Sequence, residues 1–333
     1  MQIIKLKGGS LNSTSLHIDG DKKFVRKLIS TSADREYGYV RWYSQLKKLQ
    51  RFNALVPGSV PQVYDAGLVD DGAYFDIEYI DAKDIKTLFK ENALTRYQTE
   101  KMHKSLWFAF DRLHSHKYTP NVSSLKLYFQ EEVLQKLNDA RQFPEFEQFY
   151  NLDVYVHRGE TFSGIKNKIE QFSKLFDEAI SSECYVHGNP TLENILYDPN
   201  TDKIVFIDLY EEGIVDSQFM DYSQVLQCSN SLYGLLNDGV LKVNGNVTDF
   251  SIGAVPENLV YFNELFNDEL KYRYPKQYNL VKLFEATQFF RMLPFKCHAD
   301  NIEAAKFFYA HACSLVNSCL LYTSDAADDL TRV

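Results

Sequence analysis

His187-Gly188-Asn189-Pro190-Thr191-Leu192-Glu193-Asn194-Ile195-Leu196-Tyr197-Asp198, followed by Ile204-Val205-Phe206-Ile207-Asp208, is the stretch that decides the reading of this chain. A His-Gly pair opens a polar turn. Asn194 closes it and an apolar strand follows. A second apolar strand then ends on Asp208. Asn and Asp are common turn-formers, so each residue alone reads as structural. The joint spacing is more specific. It places an amide and a carboxylate at the ends of two neighbouring short strands.

Composition narrows what surrounds this stretch. The chain has 333 residues, of which 45% are hydrophobic and 24% charged, enough for a sizeable core in one large or two small domains. A net charge of −9 argues against nucleic acid or an anionic membrane surface as partner. The five cysteines, at 184, 228, 297, 313 and 319, are scattered and form no C-x-x-C pair. A disulfide framework or zinc site is not expected, and a cytoplasmic, reducing location is. The N-terminus carries no apolar signal region, and no run approaches the length of a membrane span.

Upstream, residues 2–6 read as a strand and Gly8-Gly9-Ser10 as a flexible turn. Leu16-His17-Ile18, the turn Asp19-Gly20-Asp21 and Lys23–Ile29 read as a hairpin. Alternation puts Arg26 and Lys27 on opposite faces of that last strand. Thr31 with Asp34 marks a helix start, and Val40, Tyr43, Leu46 and Leu49 follow at helical spacing, with Glu36 on the side of Val40 and Tyr43. A strand over Ala73–Ile80 leads to a short helix, Asp84–Phe89, and residues 96–116 form one long helix ending in Leu113-His114.

The stretch 187–208 resembles the signature of the aminoglycoside phosphotransferase and choline kinase family, H-G-D-x-x-x-x-N followed by I-D, with Asn189 where the family has its catalytic Asp. The resemblance implies an α+β, two-lobed, protein-kinase-like fold, with a β-rich N-lobe over 1–80 and a larger, mostly helical C-lobe over 81–318. It implies ATP and Mg²⁺ as cofactors. Lys27 would contact the phosphates and Glu36 would pair with Lys27. Main-chain groups of Glu78, Tyr79 and Ile80 would read adenine. Asn194 and Asp208 would hold the metal, His187 would pack the loop, Asn189 would stand at the base position, and Asp221 would brace the loop. No role is expected for His114. The expected partner is a small molecule with a hydroxyl acceptor, such as a sugar, an amino alcohol or a surface-polysaccharide precursor. The alternative is a nucleotide-binding pseudokinase with a regulatory or scaffolding role, because a neutral amide at 189 cannot act as a carboxylate base.

Residues 120–180 carry helical patterns at Leu125–Leu137 and Phe162–Phe176, and the chain after 224 reads as mostly helical. Cys184-Tyr185-Val186 reads as a short strand delivering His187. Pro294 predicts that the helix through Leu280–Leu293 ends near Met292. Tyr210, Glu211, Glu212 and Asp216 follow the metal Asp and are candidate acceptor-pocket residues. Cys319–Asp329 resembles the in-frame translation of a sequencing adapter, so 319–333 is expected to be a non-native tail beyond the helix Ala304–Val316.

Overall fold

The computed structural model describes residues 2–6, 12–30, 35–70, 72–119, 122–177, 179, 182–210, 213–299 and 301–330. The chain is α+β and divides into two compact units. One comprises Met1–His116 with Tyr185–Gly213, the other Lys117–Cys184 with Ile214–Val333. Residues 81–116 and 185–213, expected in the larger C-terminal lobe, thus cluster with the first eighty.

In the first unit, β1 (Gln2–Leu6), β2 (Asn12–Asp19) and β3 (Lys22–Ser30) form an antiparallel meander. Helix α1 (Arg35–Leu55) follows, then β4 (Val63–Val69) and β5 (Gly72–Glu78), completing a five-stranded sheet in the order β1-β2-β3-β5-β4. Strand alternation separates the two cations of β3. Arg26 stands opposite Asp76 and donates Nε and Nη2 to its carboxylate at 2.7 and 2.6 Å. Lys27, its neighbour, points to the other face and is buried.

The buried face of α1 is Trp42, Leu46, Leu49 and Phe52. Each such side chain contributes about 1.5–3 kcal/mol on leaving water. The Trp42 indole also donates to the Tyr74 carbonyl at 2.9 Å, fixing the helix on β5. Val40 and Tyr43, expected in the same apolar stripe, are 55% and 45% exposed, so the stripe runs one position off in the first half of the helix. Thr31 and Asp34, the expected cap, lie outside the described residues.

β6 (Lys83–Asp84), α2 (Ile85–Lys90) and α3 (Arg96–Leu113) follow. The Asp84 carboxylate accepts the Thr87 amide at 2.8 Å and caps α2. Thr95 and Gln98 form a capping box on α3. His114 is the C-cap of α3, buried and stacked on Phe110 with centroids 5.3 Å apart. The hairpin Ile195–Asp198 and Lys203–Phe206 pairs antiparallel, and its first strand also pairs with β6. Phe206 packs against Phe110 of α3 at 5.2 Å, which seats the hairpin that ends just before Asp208.

Among the described residues, the second unit is mostly helical, with a two-stranded pair and with a four-stranded sheet for which the sequence carries no signal. Val240–Asn244, Val247–Ser251, Val154–His157 and Glu160–Ser163 form four strands in that order. Its central pairing is parallel, with His157 beside Thr248, 91 positions along the chain. Phe162–Phe176, expected as one helix, is a strand end, a short 3₁₀ turn and the helix Ile169–Asp177. The helical reading of Leu125–Leu137 holds, with a π turn over Phe129–Gln135. Glu183–Cys184 is the strand before the 187–194 loop, paired with Lys117–Tyr118, and it stops before Tyr185.

The helix Tyr278–His298 runs through Pro294 rather than ending near Met292. A mid-helix proline costs about 3 kcal/mol. Here Leu293, Lys296 and Cys297 are buried beyond and before it, and the helix packs along Ile302–Leu330 and Gln218–Ser229. That packing outweighs the lost backbone hydrogen bond. The last helix extends to Leu330, past Val316 and past residue 319. Among the described residues no helix is long and apolar enough to cross a membrane.

Candidate functional site

Five of the polar residues singled out in the sequence, Lys27, His187, Asn189, Asn194 and Asp208, converge within the first unit. The loop 187–194 is built around His187, which is fully buried. The Asn189 amide donates to His187 Nδ1 at 3.1 Å, so the ring proton must sit on Nε2, which donates to the Ile207 carbonyl at 2.8 Å. One neutral imidazole therefore ties the loop to the residue before Asp208. The Tyr210 amide donates to the His187 carbonyl at 3.1 Å, closing a second link to the same segment. The ring also packs edge-on to Phe206 at 5.7 Å. His187 is thus a structural post.

Asn189 is half-buried and its main chain is fixed on both sides. Its carbonyl accepts the Thr191 amide at 2.9 Å and Nδ2 of Asn194, also at 2.9 Å. The Asn194 side chain is buried, and its two donors lie on Nδ2, so Oδ1 is the atom that could serve a cation. Ile207 donates its amide to the Asn194 carbonyl at 2.9 Å, so the loop and the strand before Asp208 are knitted residue by residue.

Asp208 adopts φ +57°, a left-handed conformation uncommon for a non-glycine residue. Gly188 stands at φ +86°, and a Cβ there would lie 3.1 Å from Cβ of Tyr210, so glycine is required on both counts. Such conformations persist where surrounding structure over-determines them.

Lys27 forms an ion pair with Asp208, joining β3 to the residue that ends the hairpin, 181 positions later. The lysine is buried, whereas the Asp208 side chain is 43% exposed. Glu36 corrects the expectation. It is exposed in the first turn of α1, on the face that carries Val40 and Tyr43, and makes no ion pair with Lys27. The helix turns its aromatic and leucine face to the sheet, which carries Glu36 to the outside, and the lysine takes the carboxylate on its own side of β3.

Glu78, Tyr79 and Ile80 lie where β5 leaves the sheet. With Leu196 and Val205 of the hairpin they line a cavity of about 300 Å³. Leu196 and Val205 are cross-strand partners, so their side chains share one face of the hairpin. The Glu78 amide donates to the Gln62 carbonyl at 2.8 Å and is committed within the sheet. The hydroxyl of Tyr79 donates to Asp81 at 3.3 Å.

Sequence reasoning missed Lys48. This α1 residue is buried, and its Nζ donates to the Tyr210 carbonyl at 2.8 Å. A lysine in a helix beside Lys47 carries no local signal of burial. Leu196 and Val205 likewise carry only a strand signal in the sequence. Gly8-Gly9, Glu211 and Glu212 lie outside the described residues. Asp216 and Asp221 belong to the second unit. There the Asp216 carboxylate accepts the Tyr118 hydroxyl at 3.1 Å, and Asp221 is fully buried in the first turn of Gln218–Ser229. No cluster of three or more His, Cys, Asp or Glu able to hold a metal occurs among the described residues. The oxygen donors available are those of Asn194 and Asp208, a set that fits Mg²⁺ and not zinc.

No curated protein matches the chain. The sequence profile of the phosphotransferase enzyme family, APH, matches residues 2–216, from β1 through the ion pair of Lys27 and Asp208. The match covers more than half of the chain and carries with it the protein-kinase-like α+β fold expected from the sequence. The chain belongs to the phosphotransferase enzyme family.

Proposed function

We propose that this protein binds ATP with Mg²⁺ in its first unit and transfers the γ-phosphoryl group to a hydroxyl of a small molecule. The observation that carries the reading is the Lys27–Asp208 ion pair, set beside the interlocked Asn189 and Asn194. Phosphoryl transfer needs little covalent help from the protein and rests on positioning and charge stabilisation. Asn194 Oδ1 and the half-exposed Asp208 carboxylate would hold Mg²⁺, whose charge offsets that developing on the phosphates when bound. Lys27 supplies a buried ammonium to the phosphates. The cavity beside Glu78–Ile80 takes the base, with Leu196 and Val205 as its apolar lining and main-chain groups after Glu78 as donors and acceptors. A cytoplasmic location, where ATP is abundant, belongs to the same proposal.

Asn189 orients the acceptor hydroxyl through its amide. It cannot take the proton as a carboxylate would, and loss of general-base help costs ~10²–10⁴-fold in rate. Turnover is accordingly slow. That same residue favours a second reading, a nucleotide-binding pseudokinase that regulates or scaffolds. A metabolite-panel phosphorylation assay on the chain and on Asn189→Asp separates the two. Product from both forms, more from the variant, supports the enzyme. Tight ATP–Mg²⁺ binding with no product from either form supports the binding module. No thermal stabilisation at millimolar ATP–Mg²⁺ overturns both.

A further inference from the structure

Lys48 is a buried cation of α1 that reaches the segment following Asp208. Its Nζ donates to the Tyr210 carbonyl at 2.8 Å and would lie 3.4 Å from a Cβ placed on Gly188. It therefore sits beside Gly188, at φ +86°, and on the segment that follows Asp208, itself at φ +57°. Left-handed backbone at Asp208 disfavours itself and must be held by neighbours. Two of those holds come from the loop, through the His187 contacts to Ile207 and Tyr210. Lys48 supplies a third from outside the loop. A hydrogen bond from a charged donor to a carbonyl is stronger than a neutral one, more so when buried. On the same helix, Arg51 stacks over the Tyr185 ring at 4.6 Å, just ahead of the loop.

We infer that Lys48 is a positioning residue: it pins the Tyr210 carbonyl and so keeps the Asp208 turn in the conformation that presents its carboxylate to Lys27 and to a metal. This rests on the reading of Asp208 as the metal-binding carboxylate. Helix α1 would then be coupled to the site through Lys48 rather than through Glu36.

The test compares Lys48→Met, which keeps an unbranched stem without a donor, with Lys48→Arg, which keeps a donor. Lys47→Met, at the exposed neighbouring lysine, is the charge control. Amide hydrogen exchange is measured on the full chain without ligand, and ATP affinity by calorimetry with Mn²⁺ and with EDTA. Lys48→Met should raise exchange at Asn189 and Tyr210 about tenfold while β3 and β5 amides stay protected. It should weaken Mn²⁺–ATP binding about tenfold and metal-free ATP binding far less. Lys48→Arg should recover most of both, and Lys47→Met should match the unmodified chain. Unchanged exchange at Asn189 and Tyr210 in Lys48→Met overturns the proposal. So does an equal rise across β3 and β5, which marks a merely structural lysine. Should Lys48→Met fail to fold, Lys48→Gln, which keeps a shorter and neutral donor, carries the test: exchange raised at Asn189 and Tyr210 but not in β3 and β5 upholds the proposal, and unchanged exchange at both overturns it. If the unmodified chain binds no Mn²⁺–ATP, the functional reading fails by itself, and the exchange data still decide the role of Lys48 in the turn.

Discussion

Two polar clusters sit in the two units, and they are built on opposite principles. Around the 187–194 loop, Lys27, Asp208, Asn189 and Asn194 are charged or strongly dipolar, and the Asp208 side chain is 43% exposed. In the second unit, His157 Nδ1 bonds Thr248 Oγ1 at 2.8 Å and His157 Nε2 bonds His311 Nδ1 at 3.0 Å, with both rings buried among Phe289 and Phe307. The first cluster keeps charge at a surface that a ligand can reach. The second keeps two neutral imidazoles dry. Burial, with Arg158 adding to it and Asp249 opposing, lowers the His157 ring to about 4, and burial holds His311 well below its ordinary value. Exposure and charge, rather than residue type, separate a site that can bind from a network that can only pack.

The largest expected effect falls on the dry cluster. A base whose folded value is depressed takes up a proton more readily when unfolded, so stability falls as pH drops below the unfolded value near 6.5 and levels off near 4. His157 alone accounts for on the order of 3 kcal/mol over that window. Urea unfolding at pH 7 and pH 4 should show this loss, and the pair variant His157→Asn with His311→Leu should be flatter across the same range. An equal acid slope in both forms would remove the contrast between the clusters.

Next comes Asp208→Ala. At a hundredfold excess over Kd, ATP–Mg²⁺ should stabilise the unmodified chain by about 2.7 kcal/mol and the variant by little. The variant should lose at most about 1–3 kcal/mol in urea at pH 7, the cost of leaving the buried Lys27 ammonium without its half-exposed partner. A large loss of stability without ligand would make this cluster structural as well.

A smaller effect sharpens the chemistry. Asn189→Asp should raise phosphoryl transfer at least about tenfold on an accepted substrate, with ATP affinity unchanged. Equal rates with equal binding would remove position 189 from the proton's path. The smallest effect is that of Glu36→Ala. An exposed side chain without an ion pair to Lys27 should leave ATP–Mg²⁺ affinity within about twofold and stability within about 0.5 kcal/mol. A tenfold loss of affinity would restore the expected pairing of Glu36 with Lys27.

The site was legible to the extent that its chemistry is local in sequence. Within itself the loop from His187 to Asn194 closes through bonds that span at most five positions, such as Asn194 to Asn189, and its ties to Ile207 and Tyr210 reach further. Spacing alone therefore identifies it. β3 was legible by alternation, which put Arg26 and Lys27 on opposite faces. Glu36 misled because a first-turn glutamate looks the same on either side of a helix. Only the packing of Trp42, Leu46, Leu49 and Phe52 on the sheet decides which face is inside. Lys48 was invisible for the same reason.

Local patterns along the chain suffice for the family, the short strands around 195–206, the α3 helix and the choice of polar residues. Each follows from a period of two or 3.6 or from a fixed spacing, and neighbours along the chain enforce those patterns. The tertiary structure decided the partner of Lys27, the inward turn of Lys48, the passage of a helix through Pro294 and the parallel pairing of His157 with Thr248. Those outcomes are competitions between distant groups. A buried ammonium takes whichever carboxylate or carbonyl packing brings within reach, and no local pattern encodes which one that is.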